Sequence, residues 1–259
     1  MNVLITAGGT SEKIDEVRTI SNMSTGRLGS LIADSFLKRN DMSVTYICPK
    51  GASLPQNSRA KIFFIDSVQS LQATLNTALR EQLFDAAVHS MAVSDYSVKY
   101  SVPSDDLSDF IAAHLQTCKT PLNDAEKLSA QIHAAMLLYN NEQKNPKKIS
   151  SEIDHLLLCL EKTPKIISIF KKQQPNTILV GFKLLVDTEA SQLLLAAKRL
   201  METNHCDFVL ANDLTHIQGT QHEAILLDTN HNTQFMTTKE EIADRIADSV
   251  IKKARGNQK

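Results

Sequence analysis

The sequence predicts an α/β fold: a Rossmann-like, doubly wound, mainly parallel sheet with an antiparallel extension and a helical insertion that ends in a flap. Three observations predict it. Short apolar, β-rich runs alternate with stretches of helical spacing, the mark of parallel strands joined by crossover helices. The glycine pair Gly8-Gly9 directly follows the first such run. Between about 97 and 151 the alternation breaks off, and then it resumes.

Each element follows from its residues. Val3–Thr6 reads as the first strand, and Leu28, Leu31, Ile32 and Phe36 recur at helical spacing after it. Strands are expected at Val44–Cys48, Lys61–Ile65 and Ala86–Ser90. A helix from Ser67, a hydroxyl N-cap, to about Gln82 separates the last two. In the insertion, Pro103 to Asp106 reads as a loop and helix start. Leu128, Ile132, Met136 and Tyr139 form a stripe on a second helix, capped by Asn123-Asp124. The polar, lysine-rich stretch Asn140–Ser151 reads as a mobile flap. Leu156–Leu160, apolar throughout, is expected to be a strand buried on both faces. Thr163-Pro164 reads as a cap followed by proline at a helix start. Strands are expected at Thr177–Val180, ending at Gly181, and at Asp207–Leu210, flanking a helix from Glu189 to about Glu202. A hairpin of Ala224–Asp228 with Gln234–Met236 and a helix from Lys239 to about Ala254 complete the chain. The whole of 1–259 reads as one domain.

Composition narrows the functional classes. With 259 residues, 42% of them hydrophobic, the chain can bury a substantial core. A formal net charge of -1 gives no basic excess for nucleic acid. No run approaches the roughly 18 apolar residues that suggest a membrane span, and Met1-Asn2 runs straight into a strand rather than a signal peptide, so a soluble, cytoplasmic protein is expected. Cys48, Cys118, Cys159 and Cys206 have no metal or redox spacing and read as buried, reduced thiols. His216, His222 and His231 lack metal-motif spacing and read as surface or turn residues. No metal ligands are assigned.

The motifs lie where strands end. In Thr6-Ala7-Gly8-Gly9-Thr10 the glycines let the backbone approach a ligand, although the loop has neither GxGxxG spacing nor a Walker lysine. In the loop from Asp15 to Gly26, Arg18 can pair with an anion, Asn22 can donate to a developing oxyanion, and the following helix N-terminus can hold phosphate. Met91-Ala92-Val93-Ser94-Asp95-Tyr96, Val180-Gly181-Phe182-Lys183 and Ala211-Asn212-Asp213 end three further strands. Ligands of open α/β sheets bind outside such ends, which makes Gly8, Gly9, Thr10, Ala92 and Asn212 binding candidates.

Together these residues resemble the phosphopantothenoylcysteine synthetase family. The core of the resemblance is ITAGGTSEKIDEVRTISNMSTGRLG, Ile5 to Gly29, supported in order by AVSDY, KI, KTP, VGF and AND. It runs from Val3 almost to the C-terminus and is weakest across Ser97–Asn145. The resemblance implies that Asn22 holds an acyl-nucleotide intermediate with Arg18 nearby. It implies that Lys148 sits on a mobile flap needed for the second half-reaction. Asp95, Lys162, Thr163, Pro164 and Phe182 match nucleotide-binding positions, and Lys198 a further phosphate-contacting lysine.

The implied reaction joins 4'-phosphopantothenate to cysteine, with CTP or ATP and Mg²⁺, in a homodimer. No flavin-dependent decarboxylase domain is attached, so a separate decarboxylase is expected to take the product onward. Two departures stand out: Met91 where many members have alanine, and Gly181-Phe182-Lys183-Leu184 where the common bacterial string is Gly-Phe-Ala-Ala. The second leaves CTP and ATP both open. Two rival readings are an NAD(P)-binding reductase and a non-catalytic nucleotide-binding protein. Tyr96 and Tyr100 lack the lysine four residues on that ketone reduction would use.

Overall fold

The computed structural model describes residues 1–119, 123–142, 148–219 and 221–256. Much of the expected flap, Lys147 included, lies outside the described residues. The chain opens with β1 (Asn2–Thr6), β2 (Ser11–Lys13), β3 (Thr19–Ser21), α1 (Arg27–Leu37), β4 (Ser43–Pro49) and β5 (Lys61–Ile65). It continues through α2 (Val68–Glu81), β6 (Ala86–His89), β7 (Tyr96–Pro103), α3 (Ser104–Thr117), α4 (Ala125–Glu142) and β8 (Leu156–Lys162). The last third holds α5 (Ile167–Gln173), β9 (Ile178–Leu185), α6 (Ala190–Asn204), β10 (Phe208–Gln218), β11 (Gln221–Asp228), β12 (Thr233–Thr238) and α7 (Lys239–Gly256). These elements form two compact units.

The first unit comprises Met1–Ser11, Ser21–Ser94 and Pro164–Lys259. Its sheet runs β12-β11-β10-β9-β6-β1-β4-β5. Pairing is parallel from β5 to β10 and antiparallel at β11 and β12, the doubly wound sheet with its antiparallel extension. One face packs Ile5, Val88, Val180 and Leu210 against Ile32 and Phe36 of α1 and Ile242, Ile246 and Val250 of α7. The other packs Leu4, Ala87, Leu179 and Val209 against Leu71 and Leu75 of α2, Phe170 of α5 and Ala197 of α6. Met91 is buried in this second layer. The departure from alanine therefore fills core. α2 shows why its residues make a helix: Ser67 caps through Ser70 in a reciprocal capping box, and Val68, Leu71, Leu75 and Leu79 form its buried stripe.

Strands β9 and β10 outrun the sequence expectation. Each passes through the Gly181-Phe182 and Asn212 positions that were expected to end it. Their mutual register, Leu210 on Phe182 and Asn212 on Leu184, supplies ladder bonds beyond the apolar runs.

The second unit comprises Glu12–Ile20 and Asp95–Thr163. Here β8 is not a strand buried on both faces. It pairs antiparallel with β7, unforeseen in the sequence, as a two-stranded ribbon. Leu157 and Leu160, three residues apart and so on opposite faces, each stay 44% exposed. Tyr100, Val102, Leu107 and Tyr139 form its small core, with Phe110 edge-on to Tyr139 at 5.1 Å. Asp124 does cap α4, accepting from the Lys127 N–H at 3.0 Å.

Three smaller expectations are corrected. The helix expected at Thr163-Pro164 begins three residues later, at Ile167, because β8 runs to Lys162 and the Thr163 N–H is used on the Asp95 carbonyl. Cys48 and Cys206 are buried free thiols, but Cys118 at the end of α3 is exposed. His216 and His231 fit the surface-or-turn reading, whereas His222 lies on β11 and is buried. Among the described residues no helix is long and apolar enough to cross a membrane.

Candidate active site

In the first unit, the loops after β1 and β6 are stitched together by backbone. Ser90 donates to the Thr6 carbonyl at 3.0 Å, Ala92 to Gly8 at 2.8 Å, and Thr10 to Ala92 at 3.1 Å. The Thr10 hydroxyl accepts from the Ser94 N–H at 2.9 Å and donates to the Ser94 hydroxyl at 3.1 Å. Gly8, Gly9, Thr10 and Ala92 thus share one strand-end platform. Gly8 sits at φ 83°, open to glycine and strained for an L side chain. Gly9 is needed for space: a Cβ there would lie 2.4 Å from the Asn22 carbonyl oxygen. Asn22 is held against the platform, donating its N–H to the Thr10 carbonyl at 3.3 Å.

Four residues on, the chain turns into α1 through Gly26 at φ 73°. Thr25 Oγ1 accepts from the Arg27 N–H, the first of this helix, at 3.3 Å. The N-cap of α1 is Gly26, with no side-chain cap bond. The remaining N–H groups of the first turn and the positive end of the helix dipole are left for an anion.

Below the platform lies a pair the sequence reading missed. The Thr6 hydroxyl and His89 Nδ1 are 2.7 Å apart, and the imidazole packs against Phe170 at 5.3 Å between ring centroids. Burial pushes the His89 pKa down to about 4, so the ring is neutral. The only signal was a histidine at the end of an otherwise apolar strand.

On β9, alternation sends Phe182 to the α1–α7 layer and Lys183 to the α6 side. There a cavity of about 780 Å³ is lined by Lys165, Lys183, Thr188, Gln192, Arg199 and apolar residues including Leu185 and Leu195. Three of the sequence candidates, Pro164, Phe182 and Lys198, each immediately precede one of its cations. Lys165 and Arg199 were not named from the sequence, and Lys183 only as part of a strand-end string, because KTP and VGF each stop one residue short of the cation. Nearby, Asp213 accepts from the Thr215 hydroxyl and N–H and from the Thr188 and Asp187 N–H groups. These donors hold its carboxyl well below the usual range and fix the Asp187–Thr188 turn.

In the second unit, Arg18 and Lys148 are brought together through Ile149. Asp15 accepts from the Ile149 N–H at 3.1 Å, and the Arg18 guanidinium donates to the Ile149 carbonyl at 3.0 Å. Burial works against the charge on Asp15, but the N–H donors of Val17, Ile149 and Arg18 and the Arg18 charge outweigh it and lower its pKa. Lys148 beside this clip is exposed. Asp95 and Thr163 meet through the backbone bond at 3.0 Å, next to the paired Tyr96 and Lys162 at one end of the β7–β8 ribbon. Of the sequence candidates, Gly8, Gly9, Thr10, Asn22, Ala92, Pro164, Phe182, Lys198 and Asn212 lie in the first unit, and Arg18, Asp95, Lys148, Lys162 and Thr163 in the second.

Comparison with known proteins now decides the family. The model of the DNA/pantothenate metabolism flavoprotein C-terminal domain matches residues 1–105 and 113–254. The chain belongs to this family. It is 30% identical over 251 residues to the coenzyme A biosynthesis bifunctional protein CoaBC of Thermococcus kodakarensis, covering 96% of this chain and 51% of that one. The chain spans about half the length of the curated relatives it matches over most of its own length. Among solved structures, the DNA/pantothenate metabolism flavoprotein from Streptococcus pneumoniae is similar with TM-score 0.78 and 35% identity, covering 96% of this chain and 98% of that one. A Cab2 variant in complex with phosphopantothenate-cysteine shares the fold, with TM-score 0.65 and 17% identity over 98% of this chain and 86% of that one.

Proposed function

We propose that this chain is a phosphopantothenate–cysteine ligase, forming an amide between 4'-phosphopantothenate and cysteine through an acyl nucleotide. One observation carries the reading: the Gly8–Thr10 platform holds Asn22 near a helix N-terminus whose N-cap is a glycine. A nucleotide-activated acid carrying a phosphate needs both an amide donor and an anion seat. Membership of the family and likeness to CoaBC add support, and they leave the reductase reading without any.

A free carboxylate gives an amine no leaving group. The carboxylate therefore attacks the α-phosphorus of CTP or ATP, the bond to the β-phosphate oxygen breaks, and pyrophosphate leaves. The amine of cysteine then attacks the acyl carbon and expels the nucleoside monophosphate. In the first unit the Asn22 amide donates to the acyl oxygen as charge develops there. Phe182, Asn212, Pro164 and Lys198 are assigned to the nucleotide, while the cavity cations Lys165, Lys183 and Arg199 lie on the opposite face of the sheet from Phe182 and Asn212. In the second unit Asp95, Lys162 and Thr163 are assigned to nucleotide binding, Arg18 to the intermediate, and Lys148 to the step with cysteine, where a flap excludes water.

Among the described residues no group of three or more His, Cys, Asp or Glu is placed to hold a metal. Mg²⁺ bound to the phosphates would neutralise the triphosphate. The protein acts as a homodimer, which sedimentation would refute by finding only monomer. A flavin-dependent decarboxylase acts on the product, and the protein works in the cytoplasm.

The test is pyrophosphate release with CTP and ATP in parallel, with and without phosphopantothenate and cysteine. Release that needs phosphopantothenate, and amide product that needs cysteine, is expected. Nucleotide binding without release would leave only a binding protein. Asn22→Ala is expected to abolish product with the fold intact. Lys148→Gln is expected to slow the cysteine step more than it weakens nucleotide binding.

A further inference from the structure

The β10–β11 hairpin holds a buried polar pair, one member of which, His222, the proposed chemistry does not use. Between Asn212, which faces Ala224, and Ile217, which faces His222, the register shifts, with three more residues on β10 than on β11. The shift brings the His222 ring back to Asn212. Asn212 Nδ2, which has only N–H to offer, donates to His222 Nε2 at 3.1 Å, and both residues are buried. That bond places the ring proton on Nδ1, which is sealed from solvent and has no partner among the described residues. An unpaired buried donor is costly, and a fold retains one where the group it orients is worth that cost. Burial, reinforced by the charge of Lys239 at the start of α7, lowers the His222 pKa to about 4 and keeps the ring neutral.

The other pole of the Asn212 amide is different. Oδ1 makes no hydrogen bond among the described residues, yet it is not sealed, and Asn212 keeps 7% of its surface open. Asn212 shares its face of the sheet with Phe182, through the pairs Leu210 on Phe182 and Asn212 on Leu184.

We propose that His222 is a positioning residue of the nucleotide site: it locks the Asn212 carboxamide with its oxygen outward, as an acceptor for the exocyclic amine of the base. Cytosine and adenine both carry that amine, at N4 and N6 respectively, whereas uracil and hypoxanthine carry a carbonyl at the same place. Without His222 the amide is free to turn over and present N–H instead, and the discrimination is lost. This inference rests on the assignment of Asn212 to nucleotide binding.

The experiment measures kcat and KM for CTP, ATP, UTP and ITP in the wild-type chain and in Asn212→Ala, His222→Leu and His222→Gln. The wild type is expected to favour CTP over UTP, or ATP over ITP, by about tenfold or more, as sites built to pair a polar group do. His222→Leu is expected to lose most of that preference through KM, with kcat on the favoured nucleotide within about threefold. His222→Gln, whose amide oxygen can still accept, is expected to keep it, as a residue acting through one hydrogen bond should. If Asn212→Ala keeps the preference, the assignment of Asn212 itself falls. If Asn212→Ala loses it and His222→Leu keeps it, the positioning role falls. A wild type that favours UTP and ITP overturns the outward oxygen. Should His222→Leu fail to fold, ¹⁵N shifts of the wild-type His222 ring decide: protonation at Nδ1 is expected, and protonation at Nε2 overturns the proposal.

Discussion

Replacing Gly9 with alanine tests whether Asn22 is where the chemistry happens. The added Cβ would lie 2.4 Å from the Asn22 carbonyl oxygen and 3.3 Å from the Asn22 Cβ. The oxygen belongs to backbone and cannot swing aside, so the segment carrying Asn22 must retreat by roughly 1 Å to reach ordinary contact. Overpacking of this kind costs about 1–3 kcal/mol of stability. The effect on rate is larger, because a 1 Å misplacement of a reacting group costs about a hundredfold and loss of an oxyanion donor about 2.7–4 kcal/mol of barrier. Steady-state pyrophosphate release and thermal unfolding, measured together, separate the two. The expected result is a folded protein, melting a few degrees lower, with kcat down about a hundredfold. Gly51→Ala, where a Cβ meets nothing within 4 Å, is the silent control. Wild-type turnover by Gly9→Ala would show that the position of Asn22 does not matter.

Three more perturbations have defined outcomes. Asp15→Ala removes the acceptor for the Ile149 N–H and is expected to release the segment beside Lys148, seen as faster amide exchange at Ile149 and a slower cysteine step; unchanged exchange would refute the clip. For His89 the folded pKa of about 4 lies below the unfolded value, so its contribution is complete above about pH 6.5 and is lost as pH falls toward 4. Denaturant unfolding should show about 2 kcal/mol lost between pH 7.5 and pH 5 that is missing in His89→Gln, and equal losses would mean the ring is not held neutral. Ser67→Ala breaks the capping box of α2 and should cost about 1 kcal/mol in chemical denaturation with kcat unchanged.

What was legible in the sequence was local. The Ser67 cap and the stripe from Val68 to Leu79 determine α2 from adjacent residues, and Gly8-Gly9 after Val3–Thr6 marks the platform loop. The misreadings needed a partner to be seen. Leu156–Leu160 carries no mark of whether a sheet or a lone ribbon will receive it, and Tyr96–Pro103 becomes a strand only because β8 pairs with it. His222 looked like a turn residue until β11 began at Gln221 and turned its ring inward. The same holds for the site. Asn22 and Arg18 stood out from their own motif, while Lys183, Lys165 and Arg199 share a cavity only because α5, β9 and α6 are neighbours.

In the central sheet β6 lies directly against β9, although the chain travels from His89 to Ile178 between them. Closing such an excursion grows costlier only with the logarithm of its length, about 0.6 kcal/mol for each doubling. A change of length inside it therefore adds little to the closure cost. The family match is interrupted within this stretch, between 105 and 113, inside α3. The sheet can hold its geometry constant while its lineage rewrites the excursion.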